Sequence, residues 1–151
     1  MEKIGIITSI MGAKKPPKEK KSFRLLYDKE KPFLYSYAKI TIGDIVIATD
    51  KAAWDTGATI TVISHSGARM AGTKPDGTGI STSATTKRDS DIYHATIELP
   101  GGIIFRDVEL WDMDLTLNGP EVLIGMDIIS QGRLVVENVN GIPMFSFEIE
   151  Q

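Results

Sequence analysis

From Phe23 to the C-terminus the chain alternates between apolar and polar positions with a period of two. Ala38, Ile40 and Ile42 share one side of a segment from Phe33 to Ile42, and Lys39 and Thr41 the other, which predicts a half-buried strand. Gly43-Asp44 supplies a tight turn into a second strand, Ile45 to Trp54. Ile60 to Ile63 is the next apolar run. Ala95, Ile97 and Leu99 oppose His94, Thr96 and Glu98. Val108 and Leu110 alternate with Asp107 and Glu109, and Met113, Leu115 and Leu117 with Asp112, Asp114 and Thr116. That pattern puts Asp112 and Asp114 together on a wet face. Near the end, Phe145, Phe147 and Ile149 alternate with Ser146, Glu148 and Glu150. Leu134 to Glu137 and Ile142 to Ile149 read as a hairpin joined through Asn140-Gly141. The predicted class is all-β.

Breaks in the pattern divide the chain. Lys14 to Lys21 holds five lysines, one glutamate and two prolines, a composition that stays solvated and extended. Residues 1–32 are therefore expected to be an N-terminal strand with a lysine-rich loop or tail, and 33–151 a single domain. Ser64 to Thr78 is a long polar connection with one helical turn around Gly67 to Ala71. Gly77 to Asp91 is rich in Ser and Thr and reads as a surface hairpin. Pro100-Gly101-Gly102 and Asn118-Gly119-Pro120 turn the chain. Val122-Leu123-Ile124 ends at Gly125, and a short helix begins near Met126. Asp127 lies in its first turn, where exposed N–H groups favour a carboxylate, and Gly132 stops it.

Composition narrows the chemistry. With 151 residues, 42% of them apolar, the chain can bury one real core. A net charge of −3 gives no basic field for nucleic acid. The absence of cysteine removes thiol catalysis and thiolate metal sites, and fits a reducing compartment, so the expected location is cytoplasmic. The two histidines, His65 and His94, show no ligand spacing, so neither a metal nor a cofactor is expected. No apolar run approaches the roughly 20 residues that span a bilayer. Met1 to Ala13 has a short, interrupted apolar centre and a poor cleavage context, unlike a signal peptide.

The candidate chemistry is Asp55-Thr56-Gly57, set between two apolar runs. A strand that stops at Asp, turns at Gly and resumes places one carboxylate at the mouth of a β-structure. The same three residues also suit an Asx-type turn with no chemistry.

Asp55-Thr56-Gly57-Ala58 followed by Thr61-Val62-Ile63 resembles the active-site loop of retroviral-type, single-domain aspartic proteases. Ile40-Thr41-Ile42-Gly43 before it and Leu123-Ile124-Gly125-Met126-Asp127 after it match the same family in order and spacing. The resemblance implies a closed retropepsin-like half-barrel with a flap hairpin and one short helix near the C-terminal third. It implies Asp55 as the catalytic residue, with Thr56, Gly57 and Ala58 supporting the loop and the dimer. Gly79, Ile80, Ser81, Thr82, Ser83, Ala84 and Thr85 would form the substrate flap. Leu123, Ile124, Gly125 and Asp127 would give structural support.

Hydrolysis of this kind needs two carboxyls around one water, and this chain carries one Asp-Thr-Gly. The implied enzyme is a homodimer acting on a peptide or protein substrate, with Asp55 from each chain at the axis. A catalytically silent module for dimerisation or peptide binding is the alternative within the family. A small β-barrel binding protein whose Asp-Thr-Gly is only a turn is the alternative outside it. The chain departs from many retroviral members at Thr59 and Met126, which carry a paired acid and Arg there. It also departs at Trp54, which is bulkier than the usual small aliphatic, and in lacking a glycine-rich flap tip.

Overall fold

In the computed structural model, residues 15–82, 87–115 and 119–151 are described. The strands are β1 (Lys20–Leu26), β2 (Leu34–Ile42), β3 (Ile45–Trp54), β4 (Val62–Ser64) and β5 (Gly77–Thr82). They continue with β6 (Lys87–Leu99), β7 (Ile103–Met113), β8 (Val122–Ile124), β9 (Arg133–Val139) and β10 (Ile142–Glu150). Helix α1 (His65–Ala71) follows β4, and α2 (Met126–Ile129) follows β8. A 3-10 turn at Pro100–Gly102 joins β6 to β7.

The larger sheet runs β2-β3-β8-β4-β7-β6-β5, and β2 pairs with β6 again. That second pairing, Lys39 to Thr41 against Thr96 to Glu98, closes the first six strands into a barrel. The fold is therefore the all-β half-barrel expected, with two short helices among the described residues. Closure leaves few exposed edges, and it is possible because the alternating strands send one side chain in two inward. Ala38, Ile40, Ile97, Ile103, Leu110 and Ile124 are all fully buried. β5 extends beyond the barrel, pairing only with the first half of β6 from Lys87 to Ile92.

β1, β10 and β9 form a second sheet with β10 in the middle. Lys20 and Lys21, read from composition as part of a solvated run, open β1 and pair with Glu150 and Ile149. Phe23 of β1 faces the core, stacked edge-on to Phe145 at 5.9 Å. The turn between β9 and β10 has positive φ at both Asn140 and Gly141, as a two-residue hairpin turn requires.

The two sheets meet at Trp54. Its ring lies 4.9 Å from Phe147 and 5.6 Å from Phe23, and its indole N–H donates to Ser36 Oγ at 2.9 Å. A bulky residue fits directly before Asp55 because β1 and β10 supply an aromatic box for it. Burying such a ring contributes on the order of 2–3 kcal/mol, and here it anchors the terminal sheet behind the residue that follows.

Candidate active site

Asp55 sits where β3 ends. Its backbone N–H donates to Ile124 O at 3.0 Å, continuing the parallel pairing of β3 with β8 for one more residue. Its carboxylate is partly exposed and accepts from the Gly57 N–H at 2.8 Å. Its carbonyl accepts from the Ala58 N–H at 3.2 Å. These bonds make a compact turn, and they orient one carboxylate oxygen toward the loop while leaving the group open to solvent. Thr56 and Gly57 are exposed and Ala58 is half-buried.

The loop is clamped from below by the second motif. β8 lies between β3, which enters the loop, and β4, which leaves it. The chain then passes under the loop at Gly125. A Cβ at Gly125 would lie 2.5 Å from Ile60 O and 3.0 Å from Ala58 O, so only glycine lets the two backbones approach this closely. Beyond it, the Met126 N–H donates to Ala58 O at 2.8 Å and the Asp127 N–H to Thr59 O at 3.2 Å.

Thr61 is the hub of this clamp, and sequence reasoning gave it no role of its own. It is fully buried. Its hydroxyl donates to Asp127 Oδ1 at 2.7 Å and accepts from the Gly125 N–H at 3.1 Å. Its backbone N–H donates to Asp127 Oδ2 at 3.1 Å. Asp127 Oδ1 also accepts from the Ile128 N–H at 3.0 Å. Thr59 and Met126 lack the charges that pair in many retroviral members, and the Thr61–Asp127 bonds tie the same two segments together here. The available signal was a hydroxyl residue inside an apolar run, which a buried strand tolerates only if the hydroxyl is bonded.

Across from the loop lies β5, and a cavity of about 410 Å³ separates them. Gly57, Ala58 and Ile60 line one wall, Ile80 and Thr82 the other, and Trp111 the floor. Gly79, Ile80, Ser81 and Thr82 are thus in β5, and the last three line this cavity. Ser83, Ala84 and Thr85 lie outside the described residues. Trp111, also unassigned from sequence, packs beneath Gly79, and its indole N–H is buried without a hydrogen-bond partner among the described residues. A larger cleft of about 560 Å³, walled by Phe33, Tyr35 and Pro120, adjoins this cavity through Leu115 and Leu123.

Two His–Asp pairs lie outside the Asp55 loop. Asp112, expected on a wet face beside Asp114, instead bonds to His65 Nδ1 and keeps only 16% of its side chain exposed. Parallel pairing of β4 with β7 sets Ile63 opposite Asp112 and so brings His65 within reach. Among the described residues no cluster of three or more potential metal ligands occurs.

Asp76, directly before β5, accepts from both the backbone N–H and Nδ1 of His94, at 2.8 and 3.0 Å. The bond to Asp76 holds the His94 imidazolium above its ordinary range, aided by the nearby charges of Asp107 and Glu109. The same bonds hold the Asp76 carboxyl below its ordinary range. The pair's stabilisation is thus complete only between the ordinary carboxylate and imidazole ranges. It is lost as pH rises through the raised His94 value, and as pH falls through the lowered Asp76 value. In an NMR titration, His94 should titrate above an unperturbed histidine and return toward it in Asp76→Asn. Amides of β5 should exchange faster once His94 is neutral. An unshifted His94 would show that the pin is absent.

The family model described as "gag-polyprotein putative aspartyl protease" matches residues 48–131, more than half of the chain. No curated protein matches in sequence. Among solved structures, a retropepsin-like aspartic protease from Rickettsia conorii is similar, with a TM-score of 0.59. It is 12% identical over 91% of this chain and 98% of that one, and it carries the likeness of fold. Simian foamy virus (mac) protease is 20% identical over 64% of this chain and 92% of that one, with a TM-score of 0.42. The retroviral protease-like domain of Ddi1 from Leishmania major is 14% identical over 80% and 93%, with a TM-score of 0.40.

Proposed function

This chain belongs to the gag-polyprotein aspartyl protease family, and from that membership we propose that it is a homodimeric aspartic endopeptidase. The observation that carries the reading is the state of Asp55. It is a partly exposed carboxylate in a loop whose Gly57 and Ala58 wall a cavity, held by Gly57 from within its own loop and by Ile124 from beneath.

One carboxyl cannot do the whole reaction. Two of them around a water divide the work, because like charges that close do not both ionise. The ionised one takes a proton from the water as it attacks the scissile carbonyl. The protonated one donates to the carbonyl oxygen as it gains charge. Collapse of the tetrahedral species returns a proton to the leaving amine and releases a new carboxyl and a new amino group. Asp55 of a second copy supplies the missing carboxyl, with Thr56 bracing the two loops. Gly57 offers its backbone to the extended peptide, and β5 with the residues after it serves as the flap. Ile80, Trp111, Leu115 and Leu123 give the cavity an apolar lining suited to apolar side chains.

Hydrolysis of a mixed peptide library in ¹⁸O-water tests the reading. Internal cleavage is expected, with the label in each new carboxyl and no acyl-enzyme trapped by hydroxylamine. A trapped acyl-enzyme would overturn it. A folded protein that binds peptides and cleaves none would leave the silent binding module.

A further inference from the structure

Residues 65–76 run from the end of β4 to the start of β5, and so carry the strand that walls the cavity beside the Asp55 loop. The chain has two histidines, and each ties down one end of this segment. At its start, His65 bonds through Nδ1 to Asp112 of β7. At its end, Asp76 accepts from the Nδ1 and the backbone N–H of His94 on β6, at 3.0 and 2.8 Å. β6 and β7 pair with each other, so both ends of the segment are fastened to one ladder.

Between these clips the segment is held unevenly. α1 is anchored by Ala68 and Ala71, both buried, and capped by Ser64, whose Oγ accepts from the Gly67 N–H at 3.1 Å. Residues 72–76 are all exposed. β5 beyond them pairs on one side only, with β6, and Gly77, Thr78, Ile80 and Thr82 are exposed. Asp76 is therefore the fixed point from which β5 starts: its N–H also donates to Ile92 O at 2.7 Å.

We propose that His65 and His94 are positioning residues that clip this segment at both ends, so that the wall made by β5 is firmest, and peptide is held best, while both imidazoles carry charge. The clause about peptide rests on the protease reading above; the clips do not. Imidazole changes charge between about pH 5 and 8, where carboxylate, ammonium and guanidinium groups ordinarily do not. His94 is faced by Asp76, by Glu109 opposite it on β7 and by Asp107. His65 has Asp112 and Asp114 of β7 with Arg88 and Asp89 of β6 on one side, and Lys51, Arg69 and Glu121 on the other. A charged imidazole bonds a carboxylate more strongly than a neutral one. The clip at His94 is thus lost as pH rises through its raised value, and on the acid side as pH falls through the lowered value of Asp76.

Hydrogen exchange and peptide binding in the Asp55→Asn protein test the proposal, since that host has no Asp55 carboxyl to titrate. His65→Gln and His94→Gln are added singly and together, with folding checked by circular dichroism, and are compared with the host at equal pH. Near pH 5.5, each should speed exchange of the β5 amides by about two- to fivefold, the range for one exposed ion pair, and the two together should exceed either. Near pH 8.5 the differences should shrink, because the host's own imidazoles are then neutral. Affinity for a non-cleavable peptide, read by calorimetry, should fall by a similar factor over that range in the host and stay level in the double variant. Equal β5 exchange in host and variants near pH 5.5 would overturn the proposal. So would an affinity that falls as much in the double variant as in the host. Exchange as expected in a protein that binds no peptide would refute the protease reading and leave the clips standing.

Discussion

Asp55→Asn is expected to fold as the parent does and to lose peptide hydrolysis by roughly 10²–10⁴-fold or to background. Asn is the same size and keeps an oxygen for the Gly57 N–H, the one side-chain bond that Asp55 makes within its turn. The Asp55 backbone bond to Ile124 is untouched. What disappears is the group that accepts a proton from water. In the proposed dimer each active unit uses the residue twice, so the substitution would remove both carboxyls at once. The measurements are kcat/KM on a cleaved peptide and the thermal midpoint of each protein. A variant that keeps full activity would remove Asp55 from the chemistry.

The second large effect is on stability. Asp127→Ala should cost about 2–4 kcal/mol, read as a fall in the urea midpoint at unchanged slope. The loss is steep because Asp127 answers two donors of one fully buried residue, the N–H and hydroxyl of Thr61. Neither donor has water to turn to once the carboxylate is gone. Thr61→Val should cost less, about 1–2 kcal/mol, since it removes the hydroxyl and strands the Gly125 N–H. The double variant should lose less than the sum, as residues in one network do. Asp127→Ala should also lower the rate, although Asp127 lies under the loop and away from its open face. Met126 and Asp127 bond the loop backbone at Ala58 and Thr59, so loosening α2 loosens the turn that aims Asp55. Unchanged stability would mean that the clamp is not what holds the loop.

The parts of this molecule that were legible in sequence are those decided locally. β2, β6 and β10 alternate because each has one wet face, so a period of two was enough to find them. The turn at Asn140-Gly141 and the start of α2 after Gly125 were readable from residues that few other conformations suit. Asp55 with its loop, and Leu123 to Asp127, were found by resemblance, and the structure brings them into contact. What was hidden depends on partners distant in the chain. Thr61 looked like a β-branched strand residue, and its role comes from Asp127, 66 residues on. Trp54 was visible as a bulky departure, but the rings that receive it belong to β1 and β10. Lys20 and Lys21 were indistinguishable in composition from the solvated run before them. Only the register with β10 makes them strand. Asp112 followed the alternation of its own segment, and the parallel pairing of β4 with β7 was needed to see His65 beside it.

The central claim is that the working site takes one Asp55 from each of two chains. It is tested most directly by mixing the wild type with Asp55→Asn at a concentration where sedimentation shows dimer. With wild type held fixed and an equal amount of variant added, random pairing leaves half of the wild-type chains facing a variant. Activity should then fall to about half, and further as more variant is added. Activity that stays constant through the titration would show that each chain works alone, and would contradict the account.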